Sequence, residues 1–409
     1  MKLKLNTEFG SLTKVIMHRP GLEIERLLPQ NTSELLFEDV PFLETMQHEH
    51  DEYTSLIKNA TDAKVYRLRH LLQDILIDQN LKKSILEKAL GRAGHTELSE
   101  EIISYYSTAE IINILISGIR VDEIKRKYAG FRSKKLKEND YLIYPSPNLY
   151  FMRDPAAIIQ DGVISGNMKF SGRQFESQLV KLVFTHHPEF REHYAEVFPA
   201  DIISENCPTI EGGDVMVLSP KVLVIGCSER TQSEAIQLVA KKVLVNGTIE
   251  RVYEVRLPSK RNYMHLDTVF SIIDENLVLA YREAMDTLKE TFLYQLTSIG
   301  EDNTVNLKRE SIKKSLISIL QSEVSHLEVV DTGYGHPDYA SREQWYDGAN
   351  VFAIGPRRVI SYNRNKLTNR ALRDKGVEVL EINSSELSRG LGGPRCMTMP
   401  IERKNIYVR

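Results

Sequence analysis

The fold is decided by a stretch that reads Asp214-Val215-Met216-Val217-Leu218-Ser219-Pro220-Lys221-Val222-Leu223-Val224-Ile225. An acidic residue leads into an apolar strand, a polar turn follows, and a second apolar strand returns, which predicts a β-hairpin. Both apolar runs are continuous rather than alternating, so we expect both faces of the hairpin to be covered. A hairpin of this kind cannot bury itself alone and therefore needs neighbours.

The same layout occurs three more times along the chain. The other copies open with Asp154, Asp267 and Asn350, and each again has two apolar strands around a polar turn. At least two copies continue into helical patterns, and the N-terminal strand with its helical follow-on brings the count to five. Repeated hairpin-plus-helix units imply an α/β fold that stacks its units or closes them around an axis. If the units are related by rotation, the residues that open the first strands converge at the centre.

A helical segment interrupts this repeat. Residues 71–141 are rich in Leu, Ile, Glu and Lys, contain no Pro, and place apolar residues at helical spacing. The sequence therefore predicts an inserted α-helical domain at 71–141 and a catalytic domain built from 1–70 and 142–409. A second helical stretch is expected over 284–296 and 311–321.

Composition excludes several classes of protein. The 409 residues carry 53 Lys and Arg against 56 Asp and Glu, so the net charge of -3 gives no footprint for nucleic acid or an anionic membrane. No apolar run approaches the roughly 18 residues of a membrane span, and the start lacks the apolar block of a signal peptide. The three cysteines, Cys207, Cys227 and Cys396, are too few and too scattered for a disulfide framework. We expect a cytoplasmic globular protein.

Two motifs combine acids with residues that shape a pocket. Within residues 148–155 the carboxylate of Asp154 precedes a proline and follows Phe151, which suits a cation held against an apolar wall. In Glu211-Gly212-Gly213-Asp214 two glycines let both acidic side chains turn toward one point. Each motif also fits a plainer interpretation, an ordinary turn or a strand-entry bulge.

Two further motifs supply a base and a nucleophile. His265 and Asp267 are two positions apart, so on a strand their side chains share one face, where a proton shuttle sits beside an acid that binds a cation. A core histidine tied to a carboxylate gives the same pattern. Cys396 follows the glycine-rich loop 390–393, which suits an exposed, mobile nucleophile, whereas a buried structural thiol is the alternative.

Together, one cysteine, one histidine and several carboxylates favour thiol catalysis on a cationic substrate. A planar guanidinium matches paired carboxylates through bidentate hydrogen bonds. Such a site needs no metal. The pairs His48 and His50, and His186 and His187, lack a fitting third ligand and are expected on the solvated surface.

At these motifs the sequence resembles the arginine deiminases, within the superfamily of enzymes that modify guanidino groups. The resemblance spans essentially the whole chain and includes an N-terminal strand that ends in His18-Arg19-Pro20-Gly21. The other motifs follow the family's order, at 151–155, 211–214, 264–267 and 395–400. The resemblance implies a five-bladed pseudo-symmetric α/β propeller and hydrolysis of L-arginine to L-citrulline and ammonium without a cofactor.

The resemblance also implies a role for each candidate residue. Cys396 attacks the guanidinium carbon and, on loss of ammonia, forms a covalent S-alkylthiouronium intermediate, while Asp154 and Asp267 grip the guanidinium nitrogens. His265 protonates the departing ammonia and then deprotonates the hydrolytic water, and Glu211 orients His265. The candidate substrate-binding residues are Arg173 and Arg230, which resemble the family's clamp on the α-carboxylate, together with Asn148, Phe151 and Asp214.

One position departs from a pattern found in part of the family. Some members carry an arginine five positions before the cysteine, where this chain has Leu391, with Arg389 and Arg395 nearby. Alternative functions are a hydrolase or amidinotransferase acting on another guanidine, such as agmatine or methylarginine, and a catalytically inactive propeller that serves as a binding module. The expected partner is a small molecule, L-arginine, rather than nucleic acid or a membrane, and a homo-oligomer is left open.

Overall fold

The computed structural model describes residues 3–128, 131, 136–198, 207–287, 290–300 and 304–407. Its strands are β1 (Leu12–Met17), β2 (Lys64–Arg67), β3 (Ile119–Arg120), β4 (Tyr141–Ile143), β5 (Ala156–Ile159), β6 (Gly162–Ser165), β7 (Ala195–Phe198), β8 (Val215–Ser219), β9 (Val222–Cys227), β10 (Arg251–Arg256), β11 (Phe270–Asp274), β12 (Leu277–Ala280), β13 (Thr291–Ile299), β14 (Val305–Ile312), β15 (Glu328–Asp331), β16 (Phe352–Gly355), β17 (Arg358–Tyr362), β18 (Glu378–Ile382) and β19 (Met399–Arg403). Its α-helices are α1 (Leu43–Ala60), α2 (Leu68–Ile75), α3 (Gln79–Gly91), α4 (Ser99–Tyr105), α5 (Thr108–Ser117), α6 (Val121–Lys127), α7 (Gln174–His186), α8 (Ser233–Val245), α9 (Arg282–Thr287), α10 (Leu316–Glu323), α11 (Pro337–Trp345) and α12 (Lys366–Asp374).

One strand arrangement is repeated in five mixed sheets of this α/β fold. The four predicted hairpins are confirmed as the antiparallel pairs β5–β6, β8–β9, β11–β12 and β16–β17. In each sheet a third strand runs parallel to the second, namely β7, β10, β15 and β18, after an intervening helix. The fifth sheet joins the two ends of the chain, because β19 pairs antiparallel with β1 and β2 lies parallel to β1. Within the described residues none of the sheets closes on itself.

The second helical stretch of the sequence prediction is wrong for most of 284–296. Only α9 is helical there, and the chain then forms the hairpin β13–β14, which adds two strands to the sheet of β8, β9 and β10. Phe292 and Tyr294 are buried where β13 pairs with β10. Aromatic side chains pack well on such a half-buried sheet, and this tertiary pairing overrides the helical spacing of the apolar residues. The helix expected at 311–321 is present as α10, shifted a few residues later.

The helices between β2 and β5 pack on the first repeat unit. Leu86 of α3 and Leu115 of α5 belong to the same hydrophobic cluster as Ile158 of β5 and Val163 of β6. The helical stretch therefore shares a core with the sheet beside it. The domain boundaries drawn around 71–141 stay a prediction.

The strand openings place the candidate residues. Asp154 lies two residues before β5, Asp214 immediately before β8, Asp267 three residues before β11, and Cys396 three residues before β19. These positions are equivalent in the repeated sheets. Among the described residues, none of the helices combines the length and the apolar character that a bilayer span requires.

Candidate active site

Short 3₁₀ turns bring the candidate side chains together at the strand openings. The turns Pro147–Tyr150, Gly212–Asp214 and Leu266–Thr268 each lie just before a strand. Asn148 and Thr268, from two of these turns, line a cavity of about 20 Å³. The residues that line it are Leu36, Asn148, Phe151, Asp154, Arg173, Arg230, Arg261, Met264, His265, Thr268, Gly390, Leu391 and Cys396.

The thiol of Cys396 lies at this cavity beside a carboxylate. Its Sγ is 3.6 Å from Oδ2 of Asp267, and its backbone N–H donates to Oδ1 of Asn350 at 3.1 Å. Burial, together with the negative charges of Asp267 and Asp154, raises the pKa of the Cys396 thiol well above its usual value. In the empty site the cysteine is therefore a neutral thiol, and forming the thiolate requires a positive charge nearby.

The loop before Cys396 is packed rather than mobile. Cys396 is only 5% exposed, so the expectation of an exposed nucleophile is wrong. A Cβ at Gly392 would collide with the ring of Phe151, and a Cβ at Gly393 would come within 2.7 Å of the Asn350 side chain. The glycines serve close packing against the cavity wall, and they give the sulfur a fixed position.

His265 is placed between two carboxylates. Its Nε2 is 2.8 Å from Oε2 of Glu211, and its Nδ1 is 3.7 Å from Oδ1 of Asp154. Burial alone would lower the pKa of His265, but Asp154, Glu211 and Asp214 outweigh burial and raise the pKa to about 9. Burial would raise the pKa of Glu211, yet its hydrogen bond to His265 and the charge of Arg230 lower it. At neutral pH the pair is an imidazolium and a carboxylate.

The two acids predicted to grip a guanidinium each have one oxygen in use and one free. Oδ2 of Asp154 accepts from Nη1 of Arg173 at 2.7 Å, and Oδ2 of Asp267 accepts from Nη1 of Arg395 at 2.8 Å. Oδ1 of both acids is buried and has no hydrogen-bond partner among the described residues. Such acceptors are costly to leave unpaired, so the site offers two carboxylate oxygens to a donor from outside.

Arg230 has buried hydrogen-bond donors without acceptors among the described residues, whereas the two aspartates have acceptors without donors. Its side chain is 2% exposed and lies over the ring of Phe170, with the guanidinium carbon 4.5 Å from the ring centroid. Its Nη1 is 3.5 Å from Oε2 of Glu211, but neither Nη1 nor Nε has a hydrogen-bond partner among the described residues. The cavity therefore combines unpaired donors of Arg230 with the unpaired oxygen of Asp154, while Asp267 contacts Cys396 and is not itself a lining residue.

Comparison with known proteins identifies the family. The family model described as arginine deiminase matches residues 33–403. The chain belongs to the arginine deiminase family. It is 36% identical to an arginine deiminase of Oenococcus oeni over 99% of this chain and 98% of that one, and 34% identical to one of Staphylococcus aureus over 99% of both chains.

Solved structures of low identity share the fold of this deiminase family member. An amidinotransferase of saxitoxin biosynthesis from Microseira wollei matches with a TM-score of 0.56 and 14% identity, over 100% of this chain and 99% of that one. The N-terminal domain of a cyanobacterial arginine dihydrolase, bound to product, matches with a TM-score of 0.54 and 12% identity, over 95% of this chain and 97% of that one. At these identities the likeness concerns the α/β fold alone.

Not every predicted substrate-binding residue lines the cavity of this arginine deiminase family member. Asn148 and Phe151 do line it, and Asn148 also donates to the backbone oxygen of Leu35 at 2.7 Å. Asp214 does not: its carboxylate accepts from Ser228 Oγ at 2.6 Å and from the Leu266 N–H at 2.9 Å. The assignment of Asp214 to substrate binding is therefore corrected, because its oxygens are spent on holding the backbone next to His265.

Leu391, at the position that differs from part of the family, lines the cavity, whereas the two arginines near it do not. Leu391 lines the cavity with a backbone φ of 55°, a left-handed conformation that is uncommon outside glycine. Arg389 pairs with Asp39 and Glu386 and is not among the lining residues. Arg395 is buried against Asp267 and does not line the cavity either.

The acid–base cluster also has a spacing that a metal ion accepts. Asp154, Glu211 and His265 each offer an atom within 4.8 Å of the others. Arg173 lies 2.7 Å from Asp154 and Arg230 lies 3.5 Å from Glu211, so both carboxylates already have cationic partners. We interpret the cluster as a site for proton transfer.

The remaining histidines are only partly where the sequence predicted them. His48 and His186 are exposed, as expected. His50 is fully buried beside Arg67, at 3.4 Å, and His187 is buried with Nε2 3.3 Å from Asp74. The expectation of a solvated surface is wrong for these two.

Sequence reasoning missed three residues at the site. Asn350 was recognised only as the opening of a repeat, yet its side chain holds the Cys396 N–H. Glu176, three residues after Arg173 on α7, pairs with that arginine at 2.9 Å, and the i, i+3 spacing is a signal that would have found it. Glu8 is 3.3 Å from Arg395 across the fold, and nothing local in the sequence indicates that contact.

Proposed function

We propose that this chain hydrolyses L-arginine to L-citrulline and ammonium through a covalent intermediate on Cys396. The observation that carries the proposal is the set of unpaired groups at one cavity: Asp154 and Arg230 line it, and Asp267 contacts the lining residue Cys396. Asp154 and Asp267 each hold out a free oxygen for a cation, and Arg230 holds out two nitrogens for an anion. A substrate with a guanidinium at one end and a carboxylate at the other satisfies both needs.

The guanidinium activates the nucleophile on binding. Bridging Asp154 and Asp267, it offsets the two charges that keep the Cys396 thiol neutral. The thiolate then attacks the guanidinium carbon and gives a tetrahedral adduct. Planar geometry and several N–H donors let one guanidinium serve two carboxylate oxygens at once.

His265 carries the protons of both half-reactions. As an imidazolium it donates a proton to the nitrogen that leaves as ammonia, and the adduct collapses to an S-alkylthiouronium on Cys396. The neutral imidazole then takes a proton from water, which attacks the same carbon and releases citrulline and the sulfur. Glu211, 2.8 Å from Nε2, holds the ring and stabilises its charged form.

Recognition of the amino-acid end is assigned to Arg230. Its guanidinium is buried, and its Nη1 and Nε lack hydrogen-bond partners among the described residues, so it can donate charge-assisted hydrogen bonds to an α-carboxylate. Arg173 lines the same cavity, and its guanidinium is paired with Asp154 and Glu176. We assign Arg173 to the α-carboxylate as a second contact that also orients Asp154.

The repeated sheets support a finer proposal about the architecture. Five sheets share one strand order, and their first strands open at equivalent positions around the candidate site. We propose that they are the blades of a five-bladed α/β propeller, with a catalytic domain of 1–70 and 142–409 and a helical insertion at 71–141. The unpaired thiols of Cys207, Cys227 and Cys396 fit the reducing cytoplasm that we propose as its location.

The test is a citrulline assay with purified protein and no added cofactor. L-Arginine, agmatine and methylarginine are offered separately, and ammonium is measured in parallel. We expect equimolar citrulline and ammonium from L-arginine. Turnover of agmatine or methylarginine in preference to L-arginine would replace the substrate assignment. Absence of product from all three would favour a binding module.

A further inference from the structure

Asp267 is held by a buried ion pair that does not line the cavity. Arg395 donates to Oδ2 of Asp267 from Nη1 at 2.8 Å, and to the backbone oxygen of Val215 from Nη2 at 2.9 Å. Its Nε donates to Oε2 of Glu8 at 3.3 Å. Each of the three charged side chains is at most 7% exposed. A cation and two anions are thus fixed together next to the thiol.

Glu8 is itself tied to the sheet that supports Asp214. Its backbone N–H donates to the oxygen of Val217 at 3.1 Å, and the Val217 N–H lies 3.4 Å from its Oε1. Both contacts join the N-terminal segment to β8. The segment that carries Glu8 is therefore a fixed support for Arg395.

The ion pair decides which oxygen of Asp267 meets the substrate. Arg395 and the sulfur of Cys396 share Oδ2, at 2.8 and 3.6 Å, so Oδ1 is the oxygen that stays unpaired. We propose that Arg395, held in place by Glu8, is a positioning residue for the deimination: it fixes the orientation of Asp267 and sets how much negative charge the thiol meets. This inference rests on the proposed function. The effect of Arg395 and Glu8 on the pKa of the Cys396 thiol is nevertheless measurable without turnover.

The charges around the sulfur determine the direction of each effect. Arg395 offsets part of the charge of Asp267 at Cys396, and Glu8 offsets part of the charge of Arg395. Neutralising Arg395 should therefore raise the thiol pKa, and neutralising Glu8 should lower it. The other titratable or charged groups that act on this sulfur are Asp154, Asp347, Arg153, Tyr53, Tyr150 and Tyr362.

The experiment measures the alkylation of Cys396 by iodoacetamide at pH 8 without substrate, followed by mass spectrometry of its peptide. Because only the thiolate reacts, the rate follows the thiolate fraction. One nearby charge shifts a pKa by about one unit or more, so we expect Glu8→Gln to react about tenfold faster and Arg395→Gln about tenfold slower than the unchanged protein. Arg395→Lys keeps the charge and should react within about threefold, yet lose most of its kcat, because one ammonium cannot hold Asp267 and Glu8 in the same geometry.

Glu254→Gln is the matched control. Glu254 is fully buried and paired with Arg309 at 3.4 Å, and it lies on β10, which contributes no residue to the cavity lining. It should leave the alkylation rate unchanged. If Arg395→Gln does not fold, the pair Glu8→Gln and Arg395→Lys carries the test.

Unchanged alkylation in Glu8→Gln, or shifts of the same sign in Glu8→Gln and Arg395→Gln, would overturn the proposal. So would full kcat in Arg395→Lys. Opposite shifts in a protein that makes no citrulline would support the electrostatic arrangement and instead refute the proposed function.

Discussion

Two Asp–Arg–Glu clusters meet at the site, and they are alike in plan. Asp154 binds Arg173, which binds Glu176, while Asp267 binds Arg395, which binds Glu8. In both clusters the aspartate keeps Oδ1 free. The same ion-pair arrangement thus leaves one carboxylate oxygen of each aspartate for the guanidinium that we propose binds here.

Their surroundings differ, and the difference separates two tasks. Asp154 and Arg173 line the cavity, and Oδ1 of Asp154 is 3.7 Å from Nδ1 of His265, whereas Oδ2 of Asp267 is 3.6 Å from the sulfur of Cys396. We therefore expect the first cluster to act mainly on His265, the proposed base, and the second mainly on Cys396, the proposed nucleophile. A carboxylate's role is set by the group that it touches rather than by its own ion pair.

The two glutamates sharpen this contrast. Burial raises the pKa of Glu176 to about 7 although Arg173 opposes the shift. Burial acts in the same direction on Glu8, but Arg395, Arg153 and Arg403 outweigh it and lower the pKa. The pKa shifts of the two glutamates therefore have opposite directions: the pKa of Glu8 is lowered and that of Glu176 is raised.

The largest effect should come from replacing the sulfur of Cys396. We expect Cys396→Ser to lose at least about 10³-fold in kcat, since a serine hydroxyl is a far weaker nucleophile and no dedicated base activates it. Its unfolding transition should stay close to that of the unchanged protein because the substitution is nearly isosteric. Cys227→Ser, at a thiol outside the cavity, is the control and should keep full activity. Activity within tenfold in Cys396→Ser would remove the sulfur from its role.

Asp154→Asn and Asp267→Asn break the comparison one cluster at a time. Each removes one of the two carboxylates proposed to grip the guanidinium, although the arginine keeps its glutamate, and loss of one partner of a buried charge pair costs roughly 3–5 kcal/mol, or about 10²- to 10³-fold in kcat/KM. The division of tasks predicts that Asp154→Asn lowers the pKa of His265, while Asp267→Asn lowers that of the Cys396 thiol. NMR titration of the imidazole measures the pKa of His265, and the pH dependence of alkylation measures the pKa of the Cys396 thiol. Equal effects of both substitutions on both groups would contradict the division.

The sequence anticipated the strand openings better than the ion pairs behind them. Hairpins with continuous apolar strands were readable because each motif is local, and so the convergence of Asp154, Asp267 and Cys396 was foreseeable. The contact of Glu8 with Arg395 spans 387 positions, and no periodicity encodes it. The helix predicted over 284–296 is wrong for the part that forms the start of β13, because the apolar residues there fit both patterns and only the pairing with β10 decides between them.

Arg230→Ala tests a cavity residue that belongs to neither Asp–Arg–Glu cluster. Removing this buried donor should raise KM for L-arginine by about 10²-fold, while turnover of agmatine, which lacks the α-carboxylate, should change little. In the unchanged protein we expect L-arginine to be preferred over agmatine by at least about 10²-fold in kcat/KM. Arg173→Ala should harm both substrates, because it also releases Asp154. Equal loss for both substrates in Arg230→Ala would place the carboxylate clamp elsewhere.

The smallest expected effect is the pH dependence of kcat/KM. His265 has a pKa raised to about 9, so kcat/KM for L-arginine should hold from neutral pH to about 8 and fall as the pH rises through about 9 and the imidazolium is lost. The same shift means that the ion pairs of His265 stabilise the fold fully below its ordinary pKa of 6.5, and that this stabilisation is lost as the pH rises through about 9. Glu211→Gln removes one cause of the shift and should move the fall to lower pH. A kcat/KM that keeps rising beyond pH 9 would contradict the imidazolium assignment.

The central claim is that Cys396 carries the substrate's carbon during turnover. The direct measurement is rapid acid quench of the protein with L-arginine, digestion, and mass spectrometry of the peptide that contains Cys396. The account predicts a transient peptide heavier by the mass of arginine minus ammonia, which forms and decays at rates at least as fast as kcat. Citrulline that accumulates while the Cys396 peptide stays unmodified at every quench time would contradict it.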